Sequence, residues 1–131
     1  MNTRLLMIAS ALVMAAIGLS LSFAPEEVFV ALGGEASGPW AIILQLCGAM
    51  YCGFALINWM AKGAVLGGIY GRPIVMGNLV HFTIGALALL KAGSGSAPKP
   101  VLWVMTTVYV LLAVAFAFVM FSDPTRTSSK G

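Results

Sequence analysis

Charge is what this chain most lacks. Only 8% of its 131 residues are charged, against about 25% in an ordinary soluble domain. Its seven basic residues are scattered, which excludes the clustered patch that nucleic-acid binding requires. Histidine is nearly absent too: His81 is the only one, so no two-histidine haem site forms within one chain. No carboxylate falls inside an apolar stretch, which removes the embedded acid that a proton-coupled multidrug exporter of this size would need in its first helix. Cysteine is limited to Cys47 and Cys52. On a helix these stand about 8 Å apart along the axis and point to different faces, too far for a disulfide. Their spacing is not the C-x-x-C of a redox pair or zinc clamp, which also excludes a four-helix quinone reductase. The glycines near Lys62 and Arg72 do not form G-x-x-x-x-G-K-[ST], so they are no phosphate loop. No catalytic residue, metal-ligand set or cofactor is expected.

What is present is apolar surface. The chain is 60% hydrophobic with a mean hydropathy of +1.00, more than a soluble fold this short could hide. Four uncharged runs, Leu5–Ala24, Trp40–Ala61, Pro73–Leu90 and Val101–Ser122, approach the roughly 20 residues needed to cross a bilayer. Every charged residue lies outside them. The six prolines fall at the same boundaries, where a missing amide hydrogen does no harm. The expected fold is all-α, an integral membrane antiparallel four-helix bundle forming a single domain over residues 1–131. The first run reads as a retained helix, because Pro25 directly follows the only small-residue cleavage site, Ser22-Phe23-Ala24. Its Ala11, Ala15, Gly18 and Ser22 form a smooth seam for close packing.

The connections have distinct characters. After the first run, Pro25-Glu26-Glu27 reads as a helix start, Val28, Phe29 and Leu32 supply an apolar side, and Gly33-Gly34 stop it. A short amphipathic surface turn and a merely structured loop fit this stretch equally well. The joint from Lys62 to Arg72 reads as a tight turn whose glycines permit close approach, with Lys62, Arg72 and Tyr70 at the lipid headgroups. Residues 91–100 form an exposed Gly/Ser/Pro loop, and the tail from Asp123 is polar. Arg4, Lys62, Arg72, Arg126 and Lys130 fall on one side, against Lys91 and Lys99 on the other. That bias places both termini in the cytoplasm of a multi-pass plasma (inner) membrane protein.

A few polar groups interrupt the greasy runs. Counting about 1.5 Å per residue sets Asn58 and Asn78 at similar depth near the inner surface, where they are able to pair. His81 falls near the midplane, level with Tyr51 and near Tyr109, with Gln45 and Thr106–Thr107 toward the outer side. On the third run Gly77, His81, Gly85 and Ala88 share one face, bordered by Asn78, and this face is expected to point inward. One reading makes His81, Asn78, Tyr51, Asn58, Tyr109 and Gln45 the lining of a cavity for a lipid or small apolar molecule. The other makes them packing glue, with a neutral His81 bonded to a neighbour. Glue is the commoner use of a single histidine among amides and hydroxyls.

The string CGAMYCGFALINWMAKG (residues 47–63) followed by GRPIVMGNLVHFTIGALALL (residues 71–90) resembles a group of small bacterial four-helix membrane proteins, loosely DoxX-like. The resemblance implies the four-helix fold and little else, and no catalytic residue comes with it. The function expected first is that of a non-enzymatic accessory or interaction subunit in the lipid bilayer, with a membrane-protein partner or a second copy of itself. The alternative is a carrier or binder of a small apolar molecule or lipid near His81.

Overall fold

A computed structural model describes residues 2–34, 38–64, 66, 69, 71–95 and 99–122. Glu35, the joint residues Gly67, Gly68 and Tyr70, Pro98 in the third connection, and the tail with Arg126 and Lys130 lie outside the described residues. The described chain is entirely helical: α1 (Thr3–Phe23), α2 (Pro25–Ala31), α3 (Trp40–Ala61), α4 (Gly71–Gly93) and α5 (Pro100–Phe121). Four of these, all but α2, are long and apolar enough to cross a membrane. The protein is therefore an all-α, multi-pass membrane protein. It divides into two compact units, one spanning Arg4–Lys62 and the other carrying α4 and α5.

Helix ends differ slightly from the charge-free runs, for physical reasons. α1 takes in Arg4, and α4 starts two residues before Pro73, because the first-turn amides of a helix have no intrahelical acceptor to lose. α4 also runs past Lys91 to Gly93. A cation in the last turn complements the negative end of the helix dipole, and Ser94 donates its hydroxyl to the Lys91 carbonyl at 2.8 Å.

In the first unit α1 and α3 run antiparallel, since contacts that climb one helix descend the other. Asn58 meets Ser10, Gly18 meets Cys52, and Gly48 meets both Gly18 and Ser22. The crossing is tight. A Cβ on Gly18 would lie 2.9 Å from the Cys52 backbone nitrogen and 3.0 Å from the Gly48 carbonyl oxygen. One on Gly48 would lie 2.8 Å from both the Gly18 carbonyl oxygen and the Ser22 nitrogen. The seam expected on the first run therefore exists at its Gly18–Ser22 end.

The stretch after α1 is a real helix, not a loop. Pro25 occupies its first turn with Glu26 and Glu27 beside it. It ends in a Schellman motif: Gly33 N–H donates to Val30 O and Gly34 N–H to Phe29 O, each at 2.9 Å. Gly33 has a φ of 99°, a conformation costly for any residue with a Cβ. The Phe29 ring then covers Gly34 and stacks on Trp40 with centroids 6.1 Å apart, which ties α2 to the start of α3.

The second unit is an antiparallel pair as well. Gly85 meets Tyr109 and Gly93 meets Trp103, while Phe82 stacks on Phe116 with centroids 5.8 Å apart and planes 11° from parallel. Pro100 opens α5. Aromatic rings fill the space that small residues keep closed in the first unit.

Candidate functional site

The polar residues singled out by sequence divide between the two units. In the first, Asn58 is completely buried on α3. Its side-chain amide donates to Ser10 Oγ at 3.1 Å and approaches Met14 Sδ at 3.6 Å. Ser10, also fully buried, donates its hydroxyl to the Met7 carbonyl at 3.0 Å. The result is a relay from the α3 amide through a hydroxyl to the backbone of α1. Tyr51 is half-buried on α3, and Gln45 is exposed. Ser10 was not anticipated. The signal was available, because Met7, Ser10, Met14 and Gly18 recur at helical spacing and all four are buried.

In the second unit the buried stripe of α4 is Gly71, Val75, Asn78, Phe82, Ala86 and Gly93. This corrects the expected inward face by about one residue. Asn78 belongs to the stripe instead of bordering it, Ala88 is exposed, and His81 and Gly85 sit half-buried at its margin. The reason is steric: Phe82, fully buried, offers a flat apolar ring that packs edge-on against Tyr109 and face-on against Phe116. An imidazole at that position would bring two nitrogens needing partners into the middle of the cluster.

His81 keeps company with these rings nonetheless. Its centroid lies 5.1 Å from Phe82 and 5.9 Å from Tyr109, and its Nε2 is buried. The Cδ1–Cε1 edge of the Tyr109 ring lies over Gly85, so close that a Cβ there would run into it. Asn78 donates its amide to the Ile74 carbonyl one turn back at 2.9 Å. Thr106 and Thr107 donate to Leu102 and Trp103 carbonyls at 2.7 and 2.9 Å in the same way. Of the residues expected to line a site, the structure thus joins His81 to Tyr109 within this unit and joins Asn58 to Ser10 and Met14 within the other.

The two cations expected at headgroups belong to different units. Lys62 follows the last turn of α3, and its ammonium sits 3.5 Å above the Trp59 ring, a favourable cation–π geometry. Arg72 is exposed in the first turn of α4. Among the described residues, nothing lies within 4 Å of where a Cβ on the joint glycine Gly63 would be. Comparison with protein-family models, curated proteins and solved structures found no match to this chain.

Proposed function

We propose that the protein is a non-enzymatic accessory or interaction subunit that docks onto a membrane-protein partner, or a second copy of itself, through the outward face of α3. One observation carries this reading. Only 11% of the apolar window of α3 is buried, against 39% in α1, and its exposed side presents Ala49 and Gly53 four residues apart. Among the described residues, nothing lies within 4 Å of a Cβ on Gly53. Leu46, Met50, Ile57 and Met60 flank that small-residue notch and are exposed, spaced as the ridge of a helix–helix interface. Lipid tails are as apolar as leucine, so association in a bilayer depends on close backbone approach at small residues. Asn58, Asn78 and Thr106, by contrast, each donate to an acceptor within their own helix pair.

The chain's charge bias supports an orientation with the start of α1 and the end of α5 on the cytoplasmic side, which in a bacterium is that of an inner-membrane protein. The resemblance to small DoxX-like four-helix proteins supports the same setting. A second reading, a binder of a small apolar solute, draws on the His81 ring lying against Phe82 and Tyr109.

Native mass spectrometry of gently purified protein separates the two. The accessory reading expects an assembly of whole-number stoichiometry that Gly53→Leu dissolves while helicity is unchanged. A monomer carrying one apolar solute, lost in His81→Ala at undiminished folded yield, overturns it in favour of the binder.

A further inference from the structure

A separate face of the first unit carries an open groove of about 420 Å³, lined by apolar atoms of α1 and α3 from Leu19 and Cys52 at one end to Trp59 at the other. On α3 its lining residues lie about 110° around the helix from Gly53, at 100° per residue. Three features say what occupies it. The first is depth. Its lining on α3 runs from Cys52 to Trp59, seven residues or about 10 Å of helix, against about 15 Å for half of a hydrocarbon core. The groove therefore runs about two thirds of the depth of one leaflet.

The second is charge. Because α1 and α3 are antiparallel, exposed Arg4 and half-buried Lys62 share one end of the pair, while Glu26 and Glu27 follow the other end of α1. The third joins these two: Trp59 both lines the groove and carries the Lys62 ammonium on its ring, so the cation is held at the mouth of the apolar channel.

We infer that the α1–α3 groove holds an acyl chain of an anionic phospholipid whose headgroup phosphate faces Lys62 and Arg4. The apolar lining takes the chain, Trp59 marks the interface as aromatic side chains do, and the paired cations select the head. A phosphate without a chain would leave the groove unfilled, so the two parts of the lipid are recognised together.

The test uses the full chain purified in neutral detergent, offered equal amounts of phosphatidylglycerol and phosphatidylcholine with identical acyl chains and read by native mass spectrometry. Phosphatidylglycerol is expected to be retained at least tenfold over phosphatidylcholine. Lys62→Gln and Arg4→Gln should each reduce that preference about fivefold with retention of phosphatidylcholine unchanged. Ala15→Phe, which fills the groove, should lower retention of both lipids; Leu19→Trp repeats the test should the first variant lose helicity. Equal retention of the two lipids, a preference that survives removal of both cations, or groove-filled variants that bind as before would each overturn the assignment. So would displacement by excess glycerol 3-phosphate, which would identify a phosphate site indifferent to the chain. None of these readouts depends on Gly53 or His81, so the lipid site and the accessory reading stand or fall separately.

Discussion

The two units solve one packing problem by opposite means. In the first, α1 and α3 approach until backbone meets backbone at Gly18 and Gly48, and a buried Asn58–Ser10–Met7 relay crosses the seam. In the second, α4 and α5 are joined by bulk, with Phe82, Tyr109 and Phe116 interlocked. The difference teaches what holds helices together when water is absent. Apolar transfer contributes little between helices already in lipid, leaving van der Waals fit and hydrogen bonds. Fit is reached either by removing side chains or by matching large ones, and each route fails differently under mutation.

The sharpest break is expected at Gly48. Overpacking a soluble core costs about 1–3 kcal/mol, occasionally more. Here the clash is with the Ser22 and Gly18 backbone, which has no rotamer in which to escape. Gly48→Leu should therefore lower stability by about 3 kcal/mol or more and abolish folded yield, read as the monodisperse peak after detergent extraction. Gly53→Leu, five residues along the same helix where no described residue lies within 4 Å of a Cβ, should keep the folded yield, its monodisperse peak moved only to the size of the dissociated protein. Equal losses in the two variants would show that α3 tolerates no added bulk anywhere, and the crossing would lose its special standing.

The aromatic unit should be hurt instead by removal. Phe116 is fully buried against Phe82, and Phe116→Ala leaves a void whose cavity cost is about 2 kcal/mol, without the transfer loss a water-soluble core would add. Unfolding in increasing sodium dodecyl sulfate reads this directly. Phe116→Leu should recover most of the loss, because volume and not aromaticity is what the site requires. A leucine variant as weak as the alanine one would instead credit the ring stacking itself, worth about 0.5–1.5 kcal/mol.

Much of this was legible beforehand. Charge and proline placement located the four spans, and the recurrence of Gly18 and Ser22 announced a close seam. Pro25-Glu26-Glu27 followed by Gly33-Gly34 marked both ends of α2, although nothing local decided between helix and loop. That was settled by the Phe29 ring reaching Gly34 and Trp40, a contact with a residue eleven positions away. The face of α4 was read one residue out because polarity drew attention to His81, while packing is decided by the shape of Phe82. Ser10 was overlooked because a serine in a helix ordinarily bonds its own backbone, as Ser20 does with Ala16. Its second role as an acceptor depends on which helix lies alongside.

That second role gives the smallest and most discriminating measurement. Single substitutions Ser10→Ala and Asn58→Ala each remove packing as well as a bond, so their individual costs do not isolate the relay. The double-mutant cycle does. Hydrogen bonds between membrane helices couple by about 0.6 kcal/mol on average and about 1.7 at most. The Asn58–Ser10 pair should fall in the upper half of that range, because the hydroxyl accepts from Asn58 while donating to Met7 and such chains polarise one another. Met14→Leu should cost less than Ser10→Ala, since a thioether is a weak acceptor and its 3.6 Å approach is mainly a matter of filling space. A coupling near zero would mean that Asn58 finds an equal partner once Ser10 is gone. The first unit would then be held by the closeness of its backbones alone, and its contrast with the aromatic unit would reduce to the size of the side chains at the seam.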